Sequence, residues 1–149
     1  MTDTNLTDTH SLDTKIKGSC LCGAVQYKVS GEAVRFYHCH CQRCRKATGT
    51  GHASNFTVKP ESSLSWIKGE ELLQHYKVPE AERFYNLFCK QCGSPMPRVV
   101  PELGAVIIPA GSLDSEPTME PQGRIFWDSR AKWSCTDNDL PTYAEYYPS

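Results

Sequence analysis

A chain of 149 residues suits one domain with a sizeable core. Sixteen Lys and Arg against seventeen Asp and Glu leave a formal net charge of −1, which excludes the strongly basic balance of a nucleic-acid binder. No apolar run nears the ~20 residues that a membrane span needs.

In chain order, the polar stretch MTDTNLTDTHSLDTK comes first. It has neither a basic start nor an apolar core, so it is not read as a secretory signal. It is expected to be a flexible tail over 1–15, with a single domain over 16–149 and a cytoplasmic location. Strands are expected at Ala24–Val29 and Val34–His38, a turn or two of helix after Cys41, and a strand at Ala53–Val58. A short helical stretch is expected around Glu70–His75, then strands at Arg83–Phe88 and Ala105–Ala110. The strand segments carry β-branched and aromatic residues at near period two and end at Gly, Pro, Ser or Asn. Ten Gly and ten Pro punctuate the chain as tight turns require. The expectation is a mainly β, small antiparallel domain with its cysteines at strand ends and turns.

Eight cysteines in a chain read as cytoplasmic point to metal binding or redox chemistry before disulfides. Seven fall in chelating groups: Cys20 and Cys22; Cys39, Cys41 and Cys44; Cys89 and Cys92. Thiolates one or three positions apart on a turn can share a zinc at about 2.3 Å, and a closed site takes four. CLCG (Cys20–Gly23) and CKQCG (Cys89–Gly93) each end in Cys-Gly, where a positive φ lets the chain curl and turn its N–H groups toward sulfur. Cys20, Cys22, Cys89 and Cys92 are therefore paired as a structural zinc site. Cys39, Cys41 and Cys44 remain as three ligands with one position free, the usual form of catalytic zinc. The spacing also admits disulfides, one zinc with spare cysteines, or a second site closed by His38, His40, His52 or Cys135. Cys135 by itself is read as a buried thiol.

GSCLCGAVQY, HCHCQRCRKATG, FCKQCGSP, AGSLD, and AKW followed by LPTY occur together in this order. In these stretches, from about Ile16 to Tyr143, the chain resembles the glutathione-dependent formaldehyde-activating enzyme family, which includes centromere protein V. The resemblance implies a zinc-stabilised β-tent fold with two zincs per chain, one structural on Cys20, Cys22, Cys89 and Cys92 and one catalytic on Cys39, Cys41 and Cys44. It also implies a carbon–sulfur lyase acting on the adduct of formaldehyde with glutathione. Arg124 stands where many members have a histidine, which bears on the choice of substrate.

The ligand electronics favour a thiol. Three thiolates weaken the Lewis acidity of a zinc, so a softer and more acidic thiol suits its open position better than water does. Arg43, Arg45 and Lys46 are candidate holders of a substrate carboxylate such as one of glutathione's. His52, after the flexible Gly49-Thr50-Gly51 turn, is the candidate proton shuttle, with Asp114 as a candidate acid–base partner. His38 and His40 alternate with the cysteines, and if extended would face away from Cys39 and Cys41. Trp66, Trp127 and Trp133 are read as core before pocket wall. Two other readings stand beside the lyase: zinc-dependent hydrolysis of a C=N bond or other small electrophile, and a non-catalytic zinc-stabilised interaction module. The expected partner is a small molecule, glutathione among the candidates, with no nucleic acid and no membrane.

Overall fold

Alternation of buried and exposed residues sets the architecture. The structure is a computed structural model and describes residues 13–135 and 140–146. Most of the expected tail lies outside these residues. The first strand, β1 (Asp13–Ser19), starts inside it, with Thr14 and Ile16 turned inward between exposed Asp13, Lys15 and Lys17.

The centre of the fold is β2 (Gln26–Cys39), a 14-residue strand. Two separate strands were expected here, broken at Ser30-Gly31. Pairing to β1 carries the extended backbone through Gly31, and a register shift between Ala33 and Arg35 absorbs the irregularity. The remaining strands are β3 (Ala53–Lys59), β4 (Leu64–Lys68), β5 (Leu73–Lys77), β6 (Tyr85–Cys89), β7 (Arg98–Val100), β8 (Ala105–Pro109) and β9 (Gly123–Ile125). The main sheet has the order β1-β2-β3-β8-β7, with β4 antiparallel and β9 parallel to β2. A separate hairpin joins β5 to β6. The mainly antiparallel β class matches the expectation.

The helical stretch expected at Glu70–His75 is corrected. Only Glu70–Leu72 forms a single 3₁₀ turn, and the chain then enters β5. Pairing of Leu73–Lys77 with Tyr85–Cys89 overrides the weak local helix signal, and His75 packs its ring 4.6 Å from Tyr85. The helix expected after Cys41 is present as α1 (Gln42–Thr48), which ends where Gly49 takes φ 73°.

The core lies on one face of the main sheet, where Tyr27, Val29, Phe36, Phe56, Val58, Val106 and Ile108 pack together with Met96. Burial of a side chain such as Phe56, fully hidden from solvent, contributes about 1.5 to 3 kcal/mol. The core thereby fixes the ends of β1, β2 and β6, and six of the seven clustered cysteines lie at those ends or in the turns that leave them. The seventh, Cys44, sits in α1. No helix among the described residues is long and apolar enough to cross a membrane.

Candidate metal centres

The chain directly after β1 curls through Cys20-Leu21-Cys22-Gly23. Gly23 takes φ 79° and donates its N–H to the Cys20 carbonyl at 3.0 Å. The next amide inward, Val25 N–H, points at Cys20 Sγ at 3.2 Å. A matching turn follows β6: Gly93, at φ 82°, donates to the Cys89 carbonyl at 2.7 Å. The Leu21 N–H donates to Ser94 Oγ at 2.9 Å and ties the two turns together. The expected role of the glycines, curling the chain so that amides face sulfur, is what these turns display.

The sulfurs of Cys20, Cys22, Cys89 and Cys92 lie within 4.8 Å of one another. Cys20 and Cys22 are 3.6 Å apart, Cys22 and Cys89 4.0 Å. A tetrahedral zinc with Zn–S bonds of 2.3 Å has sulfur–sulfur edges of about 3.8 Å, so this donor set fits the metal. A disulfide bond would need about 2.05 Å, and all eight cysteines are free. The Ser94 hydroxyl, followed by amides of Cys22 and Ser94, holds the Cys92 thiol down at about 5 against the effect of burial. Burial pushes Cys89 up to about 11. The four sulfurs are thus held by unequal local forces.

The second group forms where β2 runs into α1. Cys39 is the last residue of β2, Cys41 is the N-cap of α1, and Cys44 lies in its first turn. The Cys44 N–H donates to Cys41 Sγ at 3.3 Å, as an N-cap acceptor does in a helix. These three sulfurs also lie within 4.8 Å of one another. The hydrogen bond with Cys44, joined by the Cys41 amide and the Arg98 charge, holds Cys39 down at about 6 against burial. The same bond and burial push Cys44 far up. A divalent metal bound here would displace the remaining thiol protons. Either cysteine group can hold a metal ion. Among the described residues no fourth Cys, His, Asp or Glu joins the trio within that distance. His38, His40, His52 and Cys135 therefore do not close it.

The three histidines form their own stack next to the trio. His38 and His52 rings are 4.1 Å apart, and His40 and His52 5.1 Å. Ser54 Oγ lies 3.2 Å from His38 Nδ1 and 3.4 Å from His52 Nδ1, so it orients both rings. His40 is fully buried against Trp127, and among the described residues neither ring nitrogen has a partner in good hydrogen-bond geometry. Burial first, then the neighbouring charges of His52 and Arg124, push His38 and His40 below the ordinary histidine range.

His52 and Cys44 line one cavity of about 190 Å³. Asp114 is not brought to it: Asp114 accepts a 2.7 Å hydrogen bond from Ser19 and borders a different groove beside Lys17. Arg43 and Lys46 lie exposed on α1, and Arg45 Nε donates to the His40 carbonyl at 3.4 Å. Trp66 packs edge-on to Tyr27 at the core, whereas Trp133 is exposed. Cys135, expected to be buried, is exposed and has φ 57°. It lies past β9, and neither core cluster of the described residues includes it. Sequence reasoning missed Arg98, which lines the cavity beside Cys44 from β7. Its only available signal was a cation preceding a short Val-Val strand.

Residues 15–129 match the family model described as glutathione-dependent formaldehyde-activating enzyme. A curated Halomonas elongata protein named "Putative glutathione-dependent formaldehyde-activating enzyme" is 30% identical over 128 residues, covering 79% of this chain and 78% of that protein. The crystal structure of a Rhodobacter sphaeroides protein superposes with a TM-score of 0.57 at 24% identity, covering 73% of this chain and 99% of the other. This last likeness shows a shared fold.

Proposed function

Because the chain belongs to the glutathione-dependent formaldehyde-activating enzyme family, we propose that it is a zinc-dependent carbon–sulfur lyase acting on the adduct of a small aldehyde with a glutathione-like thiol. The observation that carries this reading is the trio of Cys39, Cys41 and Cys44: three converging sulfurs, with no fourth protein ligand among the described residues, and with Cys44 lining a cavity. We read residues 16–149 as one such unit in a reducing compartment, in keeping with eight free cysteines.

Cys20, Cys22, Cys89 and Cys92 would hold a structural zinc, and Cys39, Cys41 and Cys44 a catalytic one, giving two per chain. Bound to the trio, zinc supplies a soft Lewis acid that favours the thiolate form of an incoming thiol. The chain supplies the rest. Cys44 and His52 share one cavity wall, so a substrate held there meets both. With Nδ1 engaged by Ser54, His52 keeps Nε2 for the proton. In the adding direction, thiol sulfur forms a bond to the aldehyde carbon and the C=O π pair moves onto oxygen. The thiol proton, carried by His52, ends on that oxygen. The lyase direction is the reverse, and no oxidant or reductant is needed. Asp114, held by Ser19 away from this cavity, is left to position the end of β1.

Proton exchange NMR on formaldehyde and glutathione tests the reading. Added protein is expected to speed exchange between free glutathione and the hydroxymethyl adduct, and the Cys41→Ser variant to lose most of that effect. An exchange rate unaltered by the wild-type protein overturns the proposal.

A further inference from the structure

Arg98 enters the cavity wall from β7, opposite α1, in company with Cys44, His52, Asn55, Phe84 and Asn86. Its guanidinium carbon lies 5.6 Å from the centre of the Phe84 ring. The ion pairs formed among the described residues belong to Arg83, with Glu82 and Glu102. Arg98 has no carboxylate partner there. Partial burial lowers its pKa, while Cys44, Tyr85, Cys39 and Cys41 raise it. An arginine remains a cation under either influence. A half-buried cation carries a desolvation cost that the ring face offsets only in part, and its fork of N–H donors matches a carboxylate.

A second groove continues from this cavity. It shares Ala47, Phe84 and Asn86 with the first and opens between Arg43 and Lys46 on one side and Tyr76 and Glu80 on the other. One elongated ligand can therefore place an anionic group at Arg98 and run outward past Phe84 to the basic face of α1.

We propose that Arg98 is a specificity-determining residue: its guanidinium takes a carboxylate of the thiol substrate by a two-point contact beside Cys44, so that the site selects anionic thiols over neutral ones. The inference rests on the thiol–aldehyde reading of the same cavity. It assigns to Arg98 the inner contact that the sequence had suggested for Arg43, Arg45 and Lys46, and leaves Arg43 and Lys46 at the outer rim.

The test is calorimetric titration of zinc-loaded protein with S-methylglutathione, which carries two carboxylates and cannot react, and with its dimethyl ester. The wild type is expected to bind the acid about tenfold or more tightly than the ester. Arg98→Met is expected to lower affinity for the acid about tenfold to a hundredfold and to leave the ester unaffected. Arg98→Lys, with the charge but without the fork, should fall between. Equal binding of acid and ester by the wild type, or unaltered acid binding by Arg98→Met, overturns the proposal. The zinc-to-protein ratio and melting temperature of each variant separate a lost contact from a lost fold. If Arg98→Met does not fold, the Arg98 Nε–H resonance of ¹⁵N-labelled wild type decides: a shift with acid but not ester supports the assignment, and no shift overturns it. Silent proton exchange with intact acid selectivity would reject the thiol–aldehyde chemistry and keep Arg98 as an anion-binding residue. Accelerated exchange without acid selectivity would do the reverse.

Discussion

Tyr27 shows how much one residue can report. Its ring is fully buried in the core, and its hydroxyl lies 2.6 Å from Ser112 Oγ. Burial pushes the phenol up to about 12, with Ser112 working against the rise and Asp114 with it. The folded protein thus keeps a proton that the unfolded chain releases near pH 10. This contribution, about 2 to 3 kcal/mol, is fully present below pH 10 and disappears as the pH climbs toward 12. Spectrophotometric titration at 295 nm is expected to show one tyrosine ionising last, together with unfolding. In Tyr27→Phe that late step should be absent.

At the scale of the element, the turns after β1 and β6 shape the four-cysteine group. Among the described residues a Cβ at Gly93 would meet no atom within 4 Å, so Gly93→Ala tests backbone conformation at φ 82°. It is expected to cost about 1 to 2 kcal/mol and to make zinc easier to remove with a chelator. Gly18→Ala in β1 has another cause, since the new Cβ would overlap the Tyr27 ring. Equilibrium denaturation should find Gly18→Ala the more destabilised, because a ring locked in the core has no room to retreat. The turn glycines were legible in CLCG and CKQCG. The crowding at Gly18 was not, because Tyr27 reaches it only through the pairing of Gly18 with Tyr27 across β1 and β2.

For the whole molecule, the two cysteine groups should differ in what their metals do. Cys20 and Cys89 pack within the main core, whereas Cys39 and Cys44 form a smaller cluster with Ala53, against Cys41 and Phe84. Cys89→Ser is expected to remove a zinc and cost about 4 kcal/mol or more. Cys41→Ser should lose the other zinc with a far smaller fall in melting temperature. Elemental mass spectrometry of anaerobically purified wild type should give two zincs per chain, and one per chain in Cys41→Ser. Equal losses of stability in the two variants would favour a zinc-stabilised interaction module over an enzyme.

The sequence by itself determined the mainly antiparallel β class, the short helix after Cys41, the grouping of the seven cysteines and the turn glycines. These depend on local spacing and backbone preference, which a linear chain displays directly. It did not display β1, β4, β7 and β9, whose short or polar segments become strands through the neighbours they pair with. Only the tertiary structure decided which polar residues share the cavity with Cys44. The register of β2 and β3 brings His38 opposite Ser54 and so beside His52, and the pairing of β7 with β8 brings in Arg98. Asp114 is drawn by Ser19 and the Lys17 carbonyl to the side of β1. Cofacial neighbours across a sheet are set by pairing between distant segments, a property of the folded chain that no local pattern encodes.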